Sequence, residues 1–528
     1  MARGAGGGVG FGAGAGVVTV ARTVAPGWPG LCWPELCWPE LGGDGTSGGG
    51  LHAATPPSTA RATTVLRIGG SGSVGSGLYS VTMSSAAVRL TGWGRIAPTE
   101  AELAEPATVA GAARLLETAP GGAIARGLGR SYNNAAQCGG GTVISTARLN
   151  RILELDPDTG LATCEAGVSL EQLMVAGLPS GWFVPVSPGT RQVTVGGAIA
   201  ADVHGKNHHV AGSFASHVRS FDLLLPDGES RTVTPAGELF WATAGGMGLT
   251  GLIVRATVQL KPVATSRVRV DTVRTADIDE TMAVLAEHDK AFGYTVAWSD
   301  SLARGAHLGR SVVTSGDFAE PDDLPAGEDR FAFDPRTRLA APPWMPPGLI
   351  NRYSVALANE AYYRKAPRLL QGELQTIGQF FHPLDAIRNW NRVYGPGGFR
   401  QYQYVVPFGQ EAAVRRSFEL ASRARAASFV TVLKRFGEGD PGLLSFPGPG
   451  WTLALDVPAR SRGLEDLLGA LDRLVADAGG RVYLAKDSRV PPATLAEMYP
   501  RLPEFRKLRA EIDPDGILAS DLSRRLVL

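Results

Sequence analysis

Residues 125–145 read ARGLGRSYNNAAQCGGGTVIS. Glycines surround two arginines, Arg126 and Arg130, between apolar runs, so the backbone is kept clear of side chains while two planar cations are held beside it. Glycine lets successive N–H groups converge on an anion with no Cβ in the way, and a guanidinium adds donors in a fork that suits phosphate. One such loop says little, because most glycines in turns are only turns. Two more follow, SPGTRQVTVGGAIAADVHGKNHH at 187–209 and TAGGMGLTGLI at 243–253. Together they point to one large, phosphate-bearing ligand. A Rossmann unit is not indicated, since no G-x-G-x-x-G joins a strand to a helix with an acidic residue about 20 positions later.

The 528 residues allow two or three domains, and a net charge of +1 gives no electrostatic argument for nucleic acid as a partner. The four cysteines, Cys32, Cys37, Cys138 and Cys164, form neither a disulfide framework nor a zinc-ligand spacing. No run of 18 or more apolar residues occurs, which argues against a membrane-spanning helix and leaves peripheral contact open. Residues 1–82 differ in kind: they hold 21 of the 68 glycines, three acidic residues and the tandem LCWPELCWPE, with no apolar period. Such text cannot build a core, so this segment reads as a disordered or mis-assigned extension, with ordinary globular sequence starting near Met83.

From residue 84 the pattern is α+β. A turn at 156–160 separates two strands, Ser169 and Gln172 make a capping box ahead of a short helix, and Asp227-Gly228 marks a hairpin. A first domain spans 84–264 and a second spans 265–478, with strands such as QYQYVVPF and WTLALDV and the helix EAAVRRSFELASRARA. Residues 479–528 form a C-terminal segment. The Pro- and Asp-rich stretch from Thr314 to Gly348 reads either as a mobile cover whose apolar end, with Trp344, Met345, Leu349 and Ile350, meets lipid, or as a static surface loop.

ARGLGRSY, PGTRQVTVGGAIAADVHGKNHH, FWATAGGMGLTGLI and the closing YLAKDSR and FRKLRAEIDPDGI resemble the vanillyl-alcohol oxidase type of flavoprotein, and within it the FAD-containing oxidase subunits of decaprenylphosphoryl-β-D-ribose 2′-epimerases. The likeness runs from about residue 88 to 528. It implies a two-domain α+β fold, an FAD-binding domain followed by a substrate domain with an antiparallel sheet, and a C-terminal segment that returns to the first domain. It implies that FAD is held by Ala125, Arg126, Gly127, Leu128, Gly129, Arg130, Ser131, Tyr132, Asn133, Asn134 and Ala135, by Gly189, Thr194, Val195, Gly196, Gly197, Ala201, Asp202, Val203 and His204, and by Ile253 and Tyr483. Many relatives attach the flavin through a histidine where this chain has Arg130, so non-covalent FAD is expected. The close family usually has Gly-Asp where Asn133-Asn134 stand, which removes a carboxylate.

Oxidising a secondary alcohol needs a hydride acceptor, which the flavin supplies, and a group for the hydroxyl proton. The resemblance assigns that second role to Lys486, and places Lys434, Gln401, Gln403, Tyr353, Trp298 and Lys206 around the substrate. Taken alone, Lys486 reads as a solvated neighbour of Asp487, and each aromatic as core. His204, His208 and His209 lack a carboxylate or a fourth ligand at useful spacing, so no metal site is read there. Ala454 stands where family members often carry a cysteine.

The implied reaction is oxidation of the 2′-hydroxyl of decaprenylphosphoryl-β-D-ribofuranose to the ketone, the first half of epimerisation to the arabinose for cell-wall arabinan synthesis. An NADH-dependent short-chain reductase is the implied functional partner, and peripheral contact with the cell membrane is implied by the polyprenyl-phosphate-linked ribose substrate. The alternatives are a soluble alditol or aldonolactone oxidase of the same fold, and a flavin-binding partner or sensor without turnover.

Overall fold

The computed structural model describes residues 81–528 apart from 84, 85, 120 and 338. Most of the expected extension, residues 1–80, lies outside the described residues. Val81 and Thr82 do not belong with it: Val81–Met83 is a strand paired antiparallel with residues 104–106, because its backbone completes the edge of a sheet.

That first sheet also contains Thr99–Pro106, Ala123–Arg126 and Thr142–Ser145, the last two parallel to each other. Ala123–Arg126 delivers the chain directly into the glycine loop. A second five-stranded sheet is antiparallel throughout. It includes the strands flanking the 156–160 turn and the hairpin Val218–Leu224 with Ser230–Val233. The capping box at Ser169 and Gln172 opens the helix Leu170–Gly177, whose Leu170, Leu173 and Met174 are buried.

The third sheet has eight antiparallel strands and occupies the second half of the chain. Three neighbouring strands in it are Thr431–Phe436, Gly450–Pro458 and, next to the sheet edge, Phe399–Pro407. Side chains alternate across a strand, and here each face has a different duty. Tyr402, Tyr404, Leu433, Leu453, Leu455 and Val457 point into a core closed by the helices Glu411–Arg423 and Leu464–Asp477. The latter buries Leu464, Leu467, Leu468, Leu471 and Val475, an apolar stripe at helical spacing. Gln401, Gln403, Val432, Lys434 and Ala454 emerge on the opposite face, where they line a cavity. The antiparallel register sets Gln401 opposite Asp456 and Gln403 opposite Ala454, while Lys434 faces Thr452.

The stretch expected as a cover from Thr314 divides differently. Ser311–Phe318 is a full strand of the large sheet, paired on both sides, so Thr314–Phe318 cannot move independently. The remainder is pinned: Ser266 Oγ donates to Ala332 O at 2.7 Å, Arg191 donates to Pro335 O at 2.7 Å, and Arg392 donates to Ala341 O at 3.0 Å. Trp344 is nevertheless 76% exposed.

The C-terminal segment ties the sheets together. Arg481–Val482 adds to the eight-stranded sheet beside Tyr404 and Val405. Further on, Ala123 N donates to Ile517 O at 2.7 Å and Ala519 N to Ala123 O at 2.9 Å, so this segment is bonded to the strand that enters the glycine loop. Between these points Asp487 is nearly inaccessible; its Oδ1 accepts from the amides of Arg489 and Val490, and its Oδ2 pairs with Arg525 at 2.6 Å. Removing one partner of such a pair strands a buried charge. Arg525→Leu should therefore lower stability by roughly 2 kcal/mol, less than a fully buried pair because Arg525 is partly exposed. A thermal melt of the purified variant checks this, and an unchanged midpoint would refute it.

Candidate active site

One elongated cavity runs from the glycine loops to the polar face of the large sheet. Its first end is backbone. Among the described residues, the amides of Leu128, Gly129 and Arg130 donate to no protein acceptor, and Gly129 sits in the left-handed region at φ 65°. A Cβ at Gly189 would meet no protein atom within 4 Å, so the space beside it belongs to the cavity. Thr194 caps the short helix Val195–Ala200 by accepting from Gly197 N at 3.1 Å, and it packs so closely on the first loop that a Cβ at Gly127 would collide with its Oγ1. Three free N–H groups, an open glycine cradle and Arg130 suit the pyrophosphate of a dinucleotide.

Arg130 and Arg126 part company. Arg130 lines the cavity, stacks over Trp93 at 4.1 Å and donates to Leu128 O at 3.1 Å. Arg126 turns away and clamps the loop from behind, donating to Ala136 O at 3.0 Å and Thr91 O at 2.8 Å. Four other expected cofactor residues also fail to reach the cavity wall. Asn133 is buried, with its amide nitrogen given to the carbonyls of Leu484 and Asp487. Asn134 uses its carbonyl for Gln137 N. Val195 is core, and Asp202 is buried with Ser445 Oγ and Ala215 N. The cavity does receive Ala125, Gly127 to Tyr132, Ala135, Gly189, Thr194, Gly196, Gly197, Ala201, Val203, His204, Ile253 and Tyr483.

The second end is polar and cationic. Lys206, Lys434 and Lys486 all line it. Lys206 Nζ donates to Phe380 O and lies 4.1 Å from that ring, and burial lowers its pKa to about 7. Lys486 Nζ lies 5.4 Å from the Tyr132 ring and 5.8 Å from that of Tyr483. Burial lowers its pKa to about 8, opposed by the charge of Asp456. Lys434 is driven well below the usual lysine range by burial and by the neighbouring cations Lys486 and Lys206.

His204 links Lys434 to the sheet. Lys434 Nζ is 3.1 Å from its Nδ1, and the Gln403 amide is 3.0 Å from its Nε2. With Lys434 neutral, Nδ1–H donates to the amine and Nε2 accepts from the amide nitrogen. With Lys434 charged, the ammonium donates to Nδ1 and the proton sits on Nε2, which then requires the Gln403 oxygen. That oxygen is otherwise buried without a partner.

Trp298 also lines the cavity; its indole N–H donates to Phe429 O at 2.9 Å and its ring meets Tyr362 edge-on at 4.6 Å. Tyr353 does not belong here. It is 70% exposed at the start of the helix Arg352–Lys365, and Tyr362 of the same helix lines the cavity instead. Nine residues are about two and a half turns, which puts the two tyrosines on opposite faces. Phe380, Gln375 and Gln379 were not foreseen either. The helical phase of Tyr362 was the one available signal among these.

The FAD binding domain family matches residues 100–234, and the D-arabinono-1,4-lactone oxidase family matches residues 457–526. Over 450 residues the chain is 46% identical to the decaprenylphosphoryl-beta-D-ribose oxidase of Mycolicibacterium smegmatis, covering 83% of this chain and 97% of that protein. The chain belongs to the decaprenylphosphoryl-β-D-ribose oxidase family. It is an FAD-dependent oxidoreductase of two-domain α+β fold. An uncharacterized protein of Streptomyces coelicolor is 45% identical over 371 residues, 68% of this chain and 100% of that protein. The L-gulono-1,4-lactone dehydrogenase of Mycobacterium tuberculosis is 24% identical over 441 residues, 82% of this chain and 95% of that protein.

Because Arg126 holds the loop without lining the cavity, Arg126→Met should lower the flavin content of the purified protein severalfold while leaving a folded chain. Acid precipitation of the parent, followed by flavin absorbance of the supernatant, should recover all the flavin there. Flavin remaining in the pellet would reveal a covalent bond, and a full flavin complement in Arg126→Met would remove the clamp from the account.

Proposed function

We propose that this oxidoreductase converts the 2′-hydroxyl of a polyprenyl-phosphate-linked β-D-ribofuranose, decaprenylphosphoryl-β-D-ribose, to the 2′-ketone. FAD, when bound, supplies the two-electron acceptor for the carbinol hydride. Lys486 accepts the hydroxyl proton at Nζ. The observation that carries this reading is a half-buried, cavity-lining lysine whose Nζ lies 5.4 Å from the Tyr132 ring and 5.8 Å from that of Tyr483, with its pKa lowered by desolvation to about 8. An amine in that range exists partly as free base near neutrality, as a general base requires. The remaining two cations, Lys206 and Lys434, suit the phosphate, and Trp298 with Tyr362 offers faces for the sugar and the first prenyl units. Gln401 and Gln403 supply hydroxyl partners. An NADH-dependent short-chain reductase would then return the ketone as the arabinose.

The match to the lactone oxidase family over 457–526 keeps a free aldonolactone as the second reading. Anaerobic bleaching of the flavin by the lipid-linked ribose and not by free lactones or alditols distinguishes the two. Lys486→Ala should retain FAD and lose about 100-fold or more in kcat. Near-normal turnover would take the proton away from Lys486.

A lipid-linked substrate calls for contact with a bilayer. Among the described residues, no helix is long and apolar enough to cross one. The surface we assign to this contact carries Tyr353 and Leu357 on the outer side of the helix whose Tyr362 lines the cavity, Leu369 and Leu370 on the adjoining edge strand, and Trp344 in the turn that precedes the helix, all exposed. From residue 339 to 370 four cations, Arg352, Arg364, Lys365 and Arg368, stand against one acidic residue, Glu360, in a chain of net charge +1. Apolar anchors with surrounding cations suit an anionic lipid surface. Flotation with phosphatidylglycerol vesicles should be strong for the parent and lost in Trp344→Glu/Leu357→Glu with unaltered flavin content. Equal flotation of both would move the contact elsewhere.

A further inference from the structure

Asp456 lies directly behind the cavity wall. It is fully buried on the strand Gly450–Pro458, opposite Gln401, which donates its amide nitrogen to Oδ1. Its amide N–H donates to Ser428 Oγ at 3.0 Å. Its other oxygen, Oδ2, is buried with no hydrogen-bond partner. An unpartnered carboxylate oxygen in the interior is costly unless a charge compensates it. The groups facing Asp456 are Lys486 from the C-terminal segment, Tyr132 from the glycine loop and Tyr394 from the turn Trp390–Tyr394, and Lys486 is the cation among them. Lys486 in turn faces Asp456, His204 and Lys434, so Asp456 is the anion set against a cationic cluster.

We propose that Asp456 is the positioning residue for Lys486: held in place by Gln401, it is the counter-charge for the ammonium that forms when Lys486 takes the hydroxyl proton. The inference rests on Lys486 as the proton acceptor. Asp456 is not among the residues that line the cavity. It acts because the proton leaving the hydroxyl puts a full positive charge on Nζ in a site that already holds Lys434 and Lys206, and without an anion that product would be opposed by burial and by like charges. Burial raises the Asp456 pKa to about 7, with Gln401 and Lys486 opposing the rise, so carboxyl and amine titrate in neighbouring ranges as one coupled system.

The test reads the amine directly. The chain has seven lysines, so the holoenzyme labelled with ε-13C lysine gives few signals, and Lys486 is assigned by its loss in Lys486→Ala. In Asp456→Asn the Lys486 midpoint should fall by about one pH unit, because an anion that favours the charged amine is gone. The rising limb of the pH dependence of kcat/KM should move to lower pH by the same amount, and Asp456→Glu should restore both. An unmoved Lys486 midpoint overturns the proposal. A midpoint that moves while the rate limb stays supports the Asp456–Lys486 coupling and overturns instead the assignment of Lys486 as base. Should Asp456→Asn fail to fold, the parent still decides: its Lys486 signal must show a second, smaller inflection as the neighbouring carboxyl titrates, and a single inflection refutes the coupling.

Discussion

The arrangement depends on the Asp487 carboxylate, which makes no contact with the cavity. Its two oxygens take the amides of Arg489 and Val490 and the guanidinium of Arg525, while its own carbonyl receives Asn133. One residue earlier is Lys486, and Tyr132 N donates to the carbonyl of Ala485 at 2.9 Å. The segment carrying Lys486, the proposed proton acceptor, is thereby stitched to the loop that carries the free amides. A rotation of this segment would separate Lys486 from Tyr132 and open the cavity at its middle. The second end of the cavity is fixed independently, because Lys434 sits on a central strand paired on both sides, while Gln401 and Gln403 sit on the strand next to the sheet edge, paired with Asp456 and Ala454. Two rigid halves meeting at a tethered lysine give the preorganisation that a hydride and proton transfer requires.

The charge balance of the site follows from the same geometry. Lys206, Lys434 and Lys486 line the same cavity, and desolvation pushes each toward its neutral form. A dianionic pyrophosphate and a phosphodiester reverse that tendency, so ligand and protein each relieve the other's burial cost. The His204 bridge conveys this to the sheet: charging Lys434 fixes the imidazole proton on Nε2 and turns the Gln403 amide. An anion bound at Lys434, as proposed for the substrate phosphate, would in this way be coupled to the hydrogen-bonding face offered by Gln403, within one network.

Much of this was legible in the residues. The three glycine loops announced an anion cradle, and the alternation of QYQYVV announced a strand, although a polar face in an antiparallel sheet would ordinarily read as solvent and here is a cavity wall. Three kinds of residue escaped. Arg126 is chemically suited to phosphate, yet its guanidinium holds two carbonyls of its own loop, and no local pattern separates a clamp from a ligand. Tyr353 and Tyr362 share one helix and differ only in phase, which becomes decisive once it is known which face of Arg352–Lys365 meets the sheet. Asp456 sits in an apolar run, LALDV, and its relation to Lys486 arises from strand register and a chain return 30 residues later, as their numbers show. Long-range pairing of this sort leaves no local trace.

The return of the chain has a consequence for biosynthesis. Asn133 and Asp487 are bonded across 354 residues of sequence, and the strand that opens the glycine loop is bonded to residues 517–519. At a translation rate of about 5–20 residues per second, the nascent first domain waits roughly 20–70 s for these partners to leave the ribosome. Through that interval the loop amides, the Arg126 clamp and the edge awaiting Ile517 have no C-terminal cover. A product truncated before residue 487 leaves Asn133 and Ala123 without these partners, so the glycine loop reaches its final bonding only when the chain is nearly complete.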